Sequence, residues 1–211
     1  MIVMTAARTT SAVPARPGLR ERKKIRTRAA IREATHALVR ERGYDTTTVE
    51  QIAERAEVSP STVLRYFPAK EDIVLPDPLG PDLSAEIRER PADEPWADAL
   101  RQVLERAVLR GLAEDPGTLR LRARLVATVP AVRSRLLEAL SDTGRALAEA
   151  LAGRAGPDPD GLEIRVRTTA LVGGLTEALL YWAERDFHDD PAALLRRALD
   201  ALEPGPRGEK P

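Results

Sequence analysis

The chain has 211 residues, balances 33 Lys+Arg against 33 Asp+Glu, is 43% hydrophobic, and holds no cysteine and two histidines. That length and polarity support one or two packed domains, while the missing cysteine excludes disulfides, thiolate metal centres and cysteine nucleophiles. No run approaches the ~18–20 apolar residues of a membrane span, and the opening MIVMTAARTTSAVPA lacks the pattern of a secretion signal; a cytoplasmic protein with no membrane association is expected. The neutral total hides a dipole. Met1 to Lys70 carries 14 basic and 7 acidic side chains, and the remainder carries 19 and 26. Such asymmetry points to an N-terminal module that meets a polyanion, although a solvated basic face has the same composition.

Residues 1–18 mix Thr, Ser, Ala, Pro and Arg without period and are expected to form a disordered arm. A helical pattern runs from Leu19 to about Arg42, where Gly43 stops it. Ala30, Ile31, Ala34, Ala37 and Leu38 form its apolar stripe. Arg20, Arg22, Lys23, Lys24, Arg26 and Arg28 decorate its first turns. Thr47-Thr48-Val49-Glu50 reads as a capping box in which Thr47 accepts from the amide near Glu50. A short helix follows, with Val49, Ile52, Ala53 and Ala56 on its inner face. Ser59 caps the next helix, Pro60 occupies its first position without losing a hydrogen bond, and Pro68 closes it. A fourth helix starts at Lys70 and must end or kink by Pro76 and Pro78. Further helices are expected near 81–90, 95–113, 117–128, 131–153, 160–186 and 191–203, punctuated by prolines and by Gly156-Pro157. The tail from Pro204 is expected to fray. No segment alternates with period two, so no sheet is expected.

Function concentrates in Gln51–Lys70. Two short helices joined by a tight turn describe a helix-turn-helix. Ala53 supplies the small residue where the helices cross, and Val58 the apolar plug after the turn. On the second helix Val63 and Phe67 point inward, whereas Ser61 with Arg65 and Thr62 with Tyr66 point outward. That outward set carries hydroxyls and a cation, has no carboxylate, and suits base edges and phosphates in a major groove.

The segment RTRAAIREATHALVRERGYDTTTVEQIAERAEVSPSTVLRYFPAKEDIV, Arg26 to Val74, resembles the N-terminal DNA-binding domain of TetR/AcrR-family transcriptional regulators. The resemblance implies an all-α chain of nine or ten helices. A three-helix DNA-binding domain over 19–70 would be followed by a helical bundle for ligand binding and dimerisation over 71–203, with the tail at 204–211. It implies phosphate contacts from Thr47, Thr48 and Lys70, and a DNA-facing set of Ser59, Ser61, Thr62, Arg65 and Tyr66. Two residues depart from the family pattern. Leu64 stands where many members carry an aromatic that contacts phosphate. Glu57 stands where many carry glycine, and a left-handed Glu57 would cost on the order of 1 kcal/mol.

RLRARLVATVPAVRSRLLEAL and ALVGGLTEALLYWAE resemble, more diffusely, the subgroup described as binding acyl-CoA-like ligands, to which mycofactocin-associated regulators belong. A mostly aliphatic pocket is expected among Trp96, Leu100, Val103, Leu104, Ala107, Leu121, Leu125, Thr128, Thr169, Val172 and Thr176. Each of these is equally suited to an ordinary core. Arg120, Arg122 and Arg124 suit either an anionic headgroup or a solvated surface. The family's dimer surface would fall on the last two long helices. Here that is Ile164, Leu171, Leu175, Leu179 and Trp182, with Gly173 and Gly174 allowing close approach.

The expected partners are therefore a palindromic double-stranded operator, a hydrophobic effector and a second copy of the chain. A repressor is expected, with an activator of the same fold as the alternative. An all-helical enzyme would draw on Glu184, Asp186, Asp189 and Asp190. Neither His36 nor His188 is assigned a Ser or Asp partner, so no catalytic residue, metal site or cofactor is expected. A helical protein-interaction module that ignores DNA is the remaining alternative.

Overall fold

The computed structural model describes residues 18–75, 81–152 and 158–202, and every regular element among them is a helix. The expected arm, apart from Gly18, and the expected tail lie outside the described residues, as do Pro76, Pro78 and Gly156-Pro157.

Helix α1 (Leu19–Arg42) stops at Gly43, whose φ of 87° and ψ of 165° belong to a region essentially reserved for glycine. The Gly43 amide donates to Val39 O at 3.0 Å. The cap of α2 (Val49–Arg55) lies one residue later than the spacing suggests. Thr48 accepts from Gln51 N at 3.3 Å, and Gln51 Oε1 accepts from Thr48 N at 3.1 Å. Thr47 instead donates its hydroxyl to Gly43 O at 2.7 Å, closing the corner after α1. Helix α3 (Pro60–Tyr66) is capped by Ser59, which accepts from Thr62 N at 3.2 Å. Helix α4 (Lys70–Val74) follows; Asp72 accepts from Ala69 N at 3.1 Å.

These four helices enclose one core of Ile31, Leu38, Ile52, Ala53, Val63, Phe67 and Ile73, with Val58 packed against it. The inward pair Val63 and Phe67 and the small Ala53 take the expected places. Each fully buried side chain of this size contributes about 1.5–3 kcal/mol. Arg28 turns in from the basic run. Its guanidinium lies 4.3 Å from the Phe67 ring centroid and donates to Tyr66 O at 2.9 Å, so it satisfies a carbonyl at the end of α3.

The remaining helices are α5 (Pro81–Glu89), α6 (Trp96–Glu114), α7 (Pro116–Thr128), α8 (Pro130–Ala152), α9 (Leu162–Glu184) and α10 (Pro191–Asp200). Pro116 and Pro191 open α7 and α10, with Asp115 and Asp190 as caps. Ile87, Leu100, Val103, Leu104, Leu147, Leu151, Ile164 and Val172 form the bundle core. Helices α8 and α9 approach closely at Gly144, where a Cβ would stand 2.9 Å from Thr169 Oγ1.

A third cluster joins the two cores: Val39 and Tyr44 meet Val74 of α4, the following Leu75, and Leu125, Val126 and Val132 of α7 and α8. Helix α4 thus straddles the junction, with Ile73 in one core and Val74 in the next. Its terminal carbonyls are taken by arginines. Arg122 of α7 donates to Val74 O and Arg32 of α1 to Leu75 O, both at 3.1 Å. Arg135 of α8 pairs with Asp72 at 2.6 Å, and Arg40 donates to Thr118 at 2.7 Å.

His36 is buried at this junction, and its Nε2 has no hydrogen-bond partner among the described residues. Burial, reinforced by Arg122, Arg40 and Arg32 and opposed by Asp115, pushes its pKa down to about 4. Between about 4 and the ordinary 6.5 the unfolded chain binds a proton that the folded chain does not. Stability is therefore lost as pH falls through that window, by about 3 kcal/mol at its lower end. Urea unfolding at pH 7 and pH 4.5 should show this loss in the wild type and a smaller one in His36→Leu.

Candidate nucleic-acid interface and effector region

On α3 the outward face is organised around Ser61 and Arg65, both exposed and opposite Val63 and Phe67. Thr62 and Tyr66 form one shoulder; Pro60 and Leu64 form the other. The Ser59 hydroxyl shares hydrogen bonds with the Ser61 and Thr62 hydroxyls at 2.9 Å each, and Arg65 Nη2 donates to Thr62 Oγ1 at 3.3 Å. The Arg65 guanidinium lies 5.6 Å from the Tyr66 ring centroid. The hydroxyls and the cation are thus linked before any partner arrives.

Ser59, Ser61, Thr62, Arg65 and Tyr66 are brought together on and beside α3, and Thr48, at the start of α2, is likewise exposed. Thr47 is not among them: it is 1% exposed and bonded inward. Lys70 is half-buried. Its ammonium donates to Tyr44 O at 2.9 Å and Thr47 O at 3.1 Å and lies 4.0 Å from the Tyr44 ring centroid. Lys70 therefore ties α4 to the corner before α2, with two of its three protons already committed. The Tyr44 hydroxyl donates to Glu71 at 2.7 Å, and burial with this bond pushes its pKa up. Arg20, Arg22, Lys23, Lys24 and Arg26 are all exposed on the first turns of α1.

The expected pocket residues do not line one cavity. Leu100, Val103, Leu104 and Val172 are closed into the bundle core, with Trp96 against it. Leu125 belongs to the junction cluster, with Leu121 packed on it. Ala107 is half-buried on α6. Thr128 and Thr169 are exposed, and Thr128 donates to Arg124 O at 2.8 Å. Thr176 lines a groove of about 290 Å³ with Val126, Arg133, Leu136, Leu137, Glu177, Leu180 and Glu184. A second groove of about 400 Å³ runs over Leu109, Leu112, Pro116, Arg120, Trp182 and Pro191. Periodicity marks apolar faces in the same way whether they meet each other or a ligand, so the sequence offered no means of separating the two.

The dimer expectation also needs correction. Ile164 and Trp182 are each 1% exposed, buried within the chain's own core. Leu171 and Leu175 pack against the bundle core, and Leu179 is half-buried. Gly174 faces the chain's own Leu202, which a Cβ would meet at 2.8 Å. Gly173 alone opens outward, with no atom within 4 Å of a Cβ placed there. The apolar surface of α9 is elsewhere, at Leu162 (71% exposed), Val166 (55%) and Tyr181 (40%). Their helical spacing was legible, but the broader stripe through Ile164 and Trp182 masked it.

Arg120, Arg122 and Arg124 separate as well. Arg122 serves α4, while Arg120 and Arg124 lie 5.8 Å and 5.2 Å from the Trp182 and Phe187 ring centroids. Glu33-x-x-His36 has metal-ligand spacing on α1, but Glu33 is exposed and His36 buried. Among the described residues no three His, Asp or Glu side chains converge to hold a metal.

This arrangement coincides with a known architecture. Residues 31–75 match the family model described as bacterial regulatory proteins, tetR family, and residues 94–207, more than half of the chain, match the MftR C-terminal domain. The chain belongs to the TetR family of transcriptional regulators. A relative, the HTH-type transcriptional regulator TcmR of Streptomyces glaucescens, is 38% identical over 159 residues, covering 72% of this chain and 70% of that one. Among solved structures, the FadR repressor of Thermus thermophilus in complex with lauroyl-CoA is similar at a TM-score of 0.54 and 26% identity, over 83% of this chain and 92% of that one. The fatty acid degradation regulator FadR of Bacillus halodurans shares the fold at a TM-score of 0.56 and 21% identity, over 92% and 99%. In this TetR-family chain, the second half of α1 and all of α2, α3 and α4 lie within the span that matches the N-terminal model, and the helices from α6 onward lie within the span that matches the C-terminal model.

The turn between α2 and α3 carries a strain the family's usual glycine avoids. Glu57 adopts φ 54°, and its side chain is exposed. Replacing it with glycine removes the left-handed penalty and loses no buried contact. Glu57→Gly should raise the unfolding free energy by up to about 1 kcal/mol, measured by urea denaturation at neutral pH.

Proposed function

We propose that this regulator is a repressor, working in the cytoplasm, that binds a palindromic operator as a homodimer and is released by a lipophilic, acyl-CoA-type effector. The observation that carries the reading is the outward face of α3, a hydroxyl and guanidinium network on a helix free of carboxylates. Ser61 and Arg65 address base edges, Thr62 and Tyr66 flank them, and Thr48 and Ser59 meet phosphates from the helix starts. Lys70 offers its remaining proton to a phosphate. For Thr47 the role is one of holding the corner. The exposed cations of α1 add sequence-independent attraction.

A second copy seats on the face of α9 that carries Leu162, Val166, Gly173 and Tyr181. Among the described residues, this face leaves the large apolar side chains of Leu162, Val166 and Tyr181 exposed. A two-fold pair then presents two α3 helices to successive major grooves, ~34–36 Å apart or a multiple of it.

The effector reading draws on the aliphatic bundle core and on the likeness to the lauroyl-CoA-bound repressor. The core of Leu100, Val103, Leu104 and Val172 is filled, so a bound chain must part it. The effector then selects a bundle arrangement that is rare without it, and release follows if that arrangement disfavours operator spacing. Helix α4 is the element through which the two would be coupled, since Arg122 and Arg135 hold it from the bundle and Lys70 holds it to the reading head.

Two measurements test the reading. The full-length protein should retain a duplex from its own upstream region at low salt and lose it when lauroyl-CoA is added. Arg65→Ala should bind that duplex at least tenfold more weakly with unchanged helicity, in line with ~1–3 kcal/mol for a good base contact. Retention by Arg65→Ala at wild-type affinity would remove α3 as the reading surface. Separately, Val166→Asp should shift the sedimentation coefficient from dimer to monomer without unfolding the chain.

A further inference from the structure

Leu64 is 50% exposed in the middle of α3. It is absent from the residues packed on the N-terminal core, where Val63 and Phe67 of the same helix are held. Its surroundings are polar: Ser61 lies three residues before it, and Arg65 follows. Pro60, also exposed, lies one helical turn earlier on the same shoulder. The helix therefore presents one aliphatic spot, Pro60 with Leu64, beside a hydroxyl and guanidinium network.

We infer that Leu64 is a specificity-determining residue that reads the C5-methyl group of a thymine. The inference rests on α3 lying in a major groove, as proposed above. A leucine has no atom with which to bind a phosphate. Against cytosine N4, or the N7 and O6 of guanine, it would strip water from a polar edge and return no hydrogen bond. Thymine alone among the four bases offers a methyl group in the major groove. Arg65 and the hydroxyls fix the helix by polar contacts, and Leu64 on their flank converts one position of each half-site into a thymine. The chain thereby exchanges the phosphate contact of an aromatic at this position for discrimination among bases.

The test uses the full-length protein and a duplex it selects from a random pool. The selected half-site should hold one thymine that Leu64→Ala no longer selects. Replacing that thymine by deoxyuridine, which lacks only the methyl, should weaken wild-type binding about fourfold, the equivalent of ~0.8 kcal/mol for one buried carbon group. Leu64→Ala should bind the two duplexes equally. The exposure of Leu64 makes the variant safe for the fold, and the deoxyuridine substitution needs no variant at all. If the wild type binds its selected duplex but is indifferent to deoxyuridine at every thymine, or if Leu64→Ala keeps the wild-type penalty, Leu64 does not read a methyl and DNA binding by α3 stands. If no duplex is selected, the DNA-binding reading falls and this inference with it.

Discussion

A helix of seven residues does not hold together by itself in water, because its few internal hydrogen bonds do not offset the cost of nucleation. Helix α3 is such a helix, and the reading head depends on how it is fastened. Val63 and Phe67 anchor its inner side, and the Ser59 hydroxyl accepts from the Thr62 amide in its first turn. Arg28 reaches from α1 to a carbonyl at its end while lying over Phe67. The outward face is left with no structural duty, and its hydroxyls, guanidinium and leucine are available to a partner.

The same economy of fastening governs α4, which is shorter still. Its start is tied to the N-terminal corner through Lys70, its Asp72 to α8 through Arg135, and its last carbonyls to α7 and α1 through Arg122 and Arg32. Apolar contacts divide in the same way, Ile73 to one side and Val74 to the other. A segment this short, attached in both directions, is the place where the contacts of the bundle and of the reading head meet. His36 sits among these attachments as a buried ring whose pKa is held down by burial and by the nearby Arg122, Arg40 and Arg32, so protonating it on acidification works against the junction.

Much of the N-terminal half could be read from residue order. Gly43, Ser59-Pro60 and Pro68 each act through local backbone chemistry, and local chemistry leaves a mark in sequence. The inward pair Val63 and Phe67 follows from helical spacing, whereas the left-handed turn at Glu57 was suggested only by the resemblance, whose members often carry glycine there. The cap of α2 slipped by one residue because Thr47 with Glu50 and Thr48 with Gln51 satisfy the pattern equally, and tertiary demand for Thr47 at Gly43 decided between them. The structural roles of Arg28, Arg122 and Arg135 were not legible, since their acceptors lie 38, 48 and 63 residues away in sequence. In the bundle, helix positions followed from periodicity, but the partners of each apolar face did not. Ile164 and Trp182 were therefore assigned to a surface when they close the core, and the residues expected around one pocket are spread over two cores and an open groove.

The bonds that Arg122 and Arg32 make to α4 end on main-chain oxygens. An acceptor of that kind is present whatever amino acid stands at 74 or 75, so no substitution there can delete it short of moving the backbone. What a substitution can remove is the donor, so the grip of the bundle and of the first helix on this segment turns on the guanidinium groups of Arg122 and Arg32 and not on the side chains at 74 and 75.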